Sequence, residues 1–138
     1  MEITGGCFCG AIEYEAEMES PVFGICHCRD CQVFSGSAFR TSGFVSPDKF
    51  RFTRGEPAYF DKTADSGAVR RMAFCTKCGS HLCSLPLGDE ADAGYVSIRV
   101  ATSHQFEQMT PGFEVFCSSR VPWQQGIEGS TEFEKMPG

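Results

Sequence analysis

The sequence predicts a small, mainly β protein of antiparallel sheets pinned together by metal. Three observations carry this. The first is the residue mix: among 138 residues there are 13 Phe, 8 Val, 8 Thr and 5 Ile against 3 Leu. Aromatic and β-branched residues fit a pleated, half-buried surface, whereas leucine favours helices. The second is a series of short apolar runs separated by Gly and Pro, the punctuation of sheets rather than bundles. The third is nine cysteines, seven of which fall in three tight clusters.

Taken in order, Glu13, Glu15 and Glu17 alternate with Ile12, Tyr14 and Ala16, a period of two that marks a strand with one wet face. Residues 22–26 read as a second strand, and 28–36 as a turn or single helical turn. A strand over 39–45 is interrupted by Gly43, where a bulge is expected. Ser46-Pro47-Asp48 is a cap-and-proline start for one helical turn. Phe50 and Phe52 begin another strand, a turn at Gly55 and Pro57 follows, and 58–60 is extended again. Residues 62–67 and 88–94 read as polar and acidic loops. Further strands are expected over 69–74, 81–85, 95–100 and 114–117, with an irregular tail after Trp123.

Composition bounds the rest. The length suits one domain, 1–138, able to bury roughly two-thirds of its unfolded surface. No apolar run approaches the roughly 20 residues of a membrane helix. The acidic N-terminus carries no apolar signal core, so a cytoplasmic location is expected. A net charge of −6, from 12 Lys+Arg and 18 Asp+Glu, opposes a nucleic-acid partner.

The clusters are Cys7-Phe8-Cys9-Gly10, Cys26-His27-Cys28-Arg29-Asp30-Cys31 and Cys75-Thr76-Lys77-Cys78-Gly79. Clustered cysteines in a chain of odd cysteine count read as metal ligands rather than disulfides. Zinc, borderline-soft and redox-inert, suits several thiolates. Seven thiolates divide into one closed site of four and one open site of three. One division places Cys7, Cys9, Cys75 and Cys78 together and leaves Cys26, Cys28 and Cys31. A ribbon-like alternative joins Cys28 and Cys31 to Cys75 and Cys78, leaving Cys7, Cys9 and Cys26. Spacing alone does not choose between them.

Other residues read plainly. Cys83 and Cys117 look like small buried hydrophobes on apolar strands. His27, between two ligand candidates, points away from a metal. His81 and His104 read as surface or turn histidines, Arg70-Arg71 as a solvated face, and Trp123 as a packing or pocket residue.

The cysteine clusters, in their order, resemble the glutathione-dependent formaldehyde-activating enzyme family (GFA), which also contains centromere protein V. The matching segments are Gly6-Cys7-Phe8-Cys9-Gly10-Ala11-Ile12, Cys26 to Cys31, and Phe74-Cys75-Thr76-Lys77-Cys78-Gly79-Ser80. The segment 116–123, FCSSRVPW, is similar to the family's C-terminal "SSKAPW" stretch. The resemblance implies a β-tent-like zinc-binding fold. It implies a structural zinc on Cys7, Cys9, Cys75 and Cys78, and a catalytic zinc on Cys26, Cys28 and Cys31. It also implies a small thiol such as glutathione and a small aldehyde such as formaldehyde as substrates. In this chain Glu114 stands where family members often carry a histidine.

The function expected is therefore a zinc-dependent carbon–sulfur lyase acting on a thiol–aldehyde adduct. A zinc with three thiolates and an open position can bind and activate an incoming thiol. The alternative is a non-catalytic zinc-binding module for a small thiol or a protein partner.

Overall fold

The computed structural model describes residues 1–64, 67–87 and 94–137 and is mainly β. Among these residues, β1 (Glu2–Gly6), β2 (Glu13–Glu17) and β5 (Phe50–Arg54) form a three-stranded sheet in the order β1-β2-β5. A larger sheet is built from β3 (Val22–Cys26), β4 (Arg40–Val45), β6 (Ala58–Thr63), β7 (Val69–Phe74), β8 (His81–Pro86), β9 (Val96–Arg99), β10 (Thr110–Val115) and β11 (Thr131–Glu132). Its order is β11-β10-β3-β4-β9-β8-β7-β6. Neighbours pair antiparallel except at one end, where β10 runs parallel to both β3 and β11.

The alternation read in β2 is a physical partition. Tyr14 and Ala16 are buried while Glu13 and Glu17 are exposed. Tyr14 and Ala16 join Ile3, Ile12, Met18, Leu82, Ile98 and Val100 in a core drawn from both sheets. A hydrogen bond of 2.7 Å from Tyr14 Oη to Thr102 Oγ1 ties the small sheet to the segment after β9.

Several expectations are corrected. β1 lies outside the strands expected from the sequence. A Cβ on Gly5 would lie 2.5 Å from the Thr102 carbonyl oxygen, and one on Gly6 would lie 2.4 Å from that of Ile12, so close approach requires glycine at both. The bulge expected at Gly43 is absent, since Gly43 pairs in register with Ile98. Its missing side chain leaves room for Met18 and Val100. The turn over 28–36 is a capped helix, α1 (Arg29–Ser35), closed by Gly36 at φ 64°. β6 extends to Thr63, into the expected loop. β10 begins and ends earlier than the strand expected over 114–117, because Pro111 and Gly112 look like a breaker. The tail contributes β11. Of the acidic loop, 88–93 lies outside the described residues, as do 65 and 66 of the polar loop.

Candidate metal centres

The seven clustered cysteines gather into two groups. Cys7, Cys9, Cys75 and Cys78 form one, Cys26, Cys28 and Cys31 the other, and within each group all sulfurs lie within 4.8 Å of one another. The ribbon-like alternative is not the grouping adopted.

The four-cysteine group joins two similar turns. Cys7 and Cys9 lie between β1 and β2, and Cys75 and Cys78 between β7 and β8. In each turn a glycine amide returns to a cysteine carbonyl, Gly10 to Cys7 at 3.1 Å and Gly79 to Cys75 at 2.8 Å. Both glycines have positive φ, 80° and 79°, which L side chains resist. The turns are stitched together by the Phe8 amide donating to Ser80 Oγ at 3.0 Å. Cys7 Sγ lies 3.6 Å from Cys9 Sγ, which lies 3.8 Å from Cys75 Sγ. Four sulfurs about 2.3 Å from a tetrahedral zinc stand about 3.8 Å apart, so the donor set fits that ion. The hydroxyl and amide of Ser80 hold the Cys78 thiol down at about 5, ready to act as a thiolate ligand.

The three-cysteine group is local. Cys26 ends β3, Cys28 caps α1 and Cys31 lies in its first turn. The Cys28 sulfur accepts from the Cys31 amide at 3.3 Å, so the cap and the site share an atom. Neighbouring thiols at Cys26 and Cys31 drive the Cys28 thiol down to about 2, helped by the Cys31 amide and the charge of Arg40. Cys26 and Cys31 are pushed up in turn. Three adjacent sulfurs cannot all carry charge unless a cation joins them.

The loop bearing this group is anchored from behind. His27 is 0% exposed and turned away from the sulfurs, its Nε2 2.9 Å from Glu114 Oε1. Glu114, equally buried, also accepts from Arg120 at 3.1 Å and from the Ile127 amide at 3.0 Å. Gln32 Nε2 donates to the carbonyls of His27 and Ser119, at 3.0 and 3.1 Å. In front of the group, all three cysteines line a cavity of about 420 Å³. Phe34, Phe44, Tyr95 and Phe113 give it aromatic walls, and Arg40, Lys62 and Arg70 bring positive charge.

A family model described as glutathione-dependent formaldehyde-activating enzyme matches residues 2–119. The chain belongs to that family. No curated protein matches it. Among solved structures, a Rhodobacter sphaeroides protein determined in structural genomics is similar, with a TM-score of 0.56 and 16% identity over 94% of this chain and 98% of that one. At that identity the likeness concerns the fold.

For this GFA-family chain, the clusters were legible in sequence and the pocket was not. Arg40, Lys62, Phe44 and Phe113 carry no local motif; their strands bring them together. Arg70 is not the solvated residue expected. Its Nη2 donates to the Ser84 carbonyl and hydroxyl and to the Tyr95 carbonyl, at 3.1, 2.9 and 2.8 Å. Arg71, next along the strand and so on the opposite face, is solvated and paired with Asp61 at 2.8 Å. His81 is half-buried against Phe34 and Phe74 rather than on the surface. His104 sits in a turn, its Nδ1 3.0 Å from Thr4 Oγ1. Trp123 is 76% exposed rather than packed. Cys83 is buried, which pushes its thiol up to about 12, whereas Cys117 is only half-buried and lies in a short 3-10 turn.

Proposed function

We propose that this protein is a zinc-dependent carbon–sulfur lyase acting on thiol–aldehyde adducts. Cys7, Cys9, Cys75 and Cys78 would hold a structural zinc, and Cys26, Cys28 and Cys31 the zinc of the reaction centre. One observation carries the reading: among the described residues, the three-cysteine group has no fourth cysteine, histidine or carboxylate in ligand range, and it opens onto a cavity. A closed structural site has four protein ligands, while a catalytic one keeps a position for an outside ligand. Membership of the family supports the same chemistry.

When bound, zinc would favour the thiolate form of an incoming thiol at neutral pH. The reaction joins a thiol sulfur to an aldehyde carbon. The thiol proton ends on the former carbonyl oxygen, and the reverse reaction breaks the carbon–sulfur bond. The protein's residues do the positioning. His27 and Gln32 fix the cysteine loop against β10 and the turn that follows it. The aromatic walls exclude water, and the guanidiniums of Arg40 and Arg70 raise the local positive potential.

The test is the rate of exchange between free and thiol-bound formaldehyde, followed by exchange NMR with glutathione. This adduct forms unaided, so its equilibrium amount carries no information. Wild type is expected to accelerate exchange and Cys28→Ser to leave it at the buffer rate. Identical rates for wild type, variant and buffer over several thiols and aldehydes favour the binding-module alternative.

A further inference from the structure

Among the described residues, the pocket beside the three cysteines has an unbalanced charge. Arg40 and Arg70 line it, Arg99 lies buried behind them, and none of the three has a carboxylate in salt-bridge range among the described residues. Lys62 differs, since it is paired with Asp30 at 3.1 Å. Arg99 is 6% exposed and bonds to the neutral groups Ser42 Oγ, Ser97 O and Ser97 Oγ at 3.4, 3.1 and 3.0 Å. Burial and the like charge of Arg40 lower its guanidinium to about 9. Arg40 itself lines the pocket, and its Nε is buried with no hydrogen-bond partner. Buried charges are normally paired, and buried donors are normally bonded. Three thiolates around a divalent ion leave only one net negative charge, fewer than the two guanidiniums that line the pocket.

The walls select a different property. Arg70 Cζ sits 4.5 Å from the centre of the Tyr95 ring. Tyr95 meets Phe44 edge-on at 5.1 Å, and Phe44 stacks on Phe113 at 6.0 Å. Phe44 and Tyr95 remain 41% and 44% exposed. Phe113 lies flat over β3 because residue 24 is glycine; a Cβ there would meet its ring at 2.3 Å.

We infer that this pocket takes an aryl carboxylate, its ring against Phe44, Tyr95 and Phe113 and its anionic group on Arg40 and Arg70. This rests on the pocket being the substrate site of the proposed lyase, and it makes one half of the adduct a thiol or aldehyde bearing both an aromatic body and an acid group. A strongly polar zwitterion fits less well. Asp30, the lining carboxylate, is already engaged by Lys62 and has no free charge for an ammonium group.

The probe is 3-phenylpropionate, which has no thiol or aldehyde, measured by titration calorimetry on the metal-loaded protein. It is expected to bind at least tenfold more tightly than 3-phenylpropan-1-ol, which lacks the charge, and than propionate, which lacks the ring. Arg40→Met should weaken it at least tenfold without lowering the melting temperature, because among the described residues the Arg40 side chain forms no hydrogen bond or ion pair that the change would break. Cys28→Ser should bind it as wild type does, and serine keeps the helix cap. Wild type separates the two readings: wild-type protein that binds the aryl carboxylate without accelerating adduct exchange removes the reaction and leaves the pocket assignment standing. Equal affinity for the acid, the alcohol and propionate overturns the inference. So does an Arg40→Met variant with wild-type affinity, or a Cys28→Ser variant that no longer binds.

Discussion

Glu114 is the residue on which the rear of the three-cysteine loop converges. It is fully buried and serves His27, Arg120 and the Ile127 amide, while Arg120 reaches on to Glu132 at 2.5 Å. Burial opposes its charge, but His27, the Ile127 amide and Arg120 together hold its carboxyl below the ordinary 4.5. A carboxyl depressed in the folded state stabilises fully above its unfolded value, and that stabilisation fades as pH falls through the lower folded value. Glu114→Ala takes the acceptor from three donors, His27, Arg120 and the Ile127 amide, and should cost about 3–5 kcal/mol in urea unfolding at pH 7. Glu114→Gln keeps the shape and one acceptor, so it should cost less. The stability gap between wild type and Glu114→Gln should shrink as pH drops below about 4.5. A gap that stays constant from pH 7 to pH 3 would show that the carboxylate charge contributes nothing.

At the scale of elements, what was legible in the chain had a local cause. β2, β3 and β7 show their periodicity or apolar run within five or six residues, and the cysteine turns announce themselves by spacing and a following glycine. What was not legible depends on partners far away in sequence. β1 is extended because Thr102 and Ile12 crowd its glycines, β10 because β3 pairs with it in parallel, and the pocket because β3, β4, β7 and β10 each contribute one wall. Gly55, in the turn from β5 to β6, belongs to this second kind. It has φ 71°, and a Cβ there would lie 2.1 Å from the Ala11 carbonyl oxygen. Gly55→Ala therefore meets both backbone strain, about 1–2 kcal/mol, and a clash with rigid backbone. A melting temperature lower by several degrees is expected; an unchanged one would mean that the turn rearranges freely.

The described residues contain two candidate metal groups with different consequences for folding. The four-cysteine group joins residues 66 apart in sequence, fixing the turn of the small sheet to the β7–β8 turn of the large one. The three-cysteine group spans only Cys26 to Cys31 and closes no long loop. Closing a long loop costs more chain entropy than closing a short one, so an ion at the first group is coupled to the whole fold and an ion at the second to one loop. Cys78→Ser should leave the protein unfolded or aggregated, whereas Cys28→Ser should lose one equivalent of metal and keep its far-ultraviolet spectrum. The same asymmetry predicts two stages in a chelator titration. The first equivalent should leave with the sheets intact and the second with cooperative unfolding. Thiolates must be deprotonated to bind, so acid should reproduce the sequence of events without a chelator. Release of both equivalents in one step, with the sheet signal falling in proportion to the first, would show that the two groups fold and unfold as one unit.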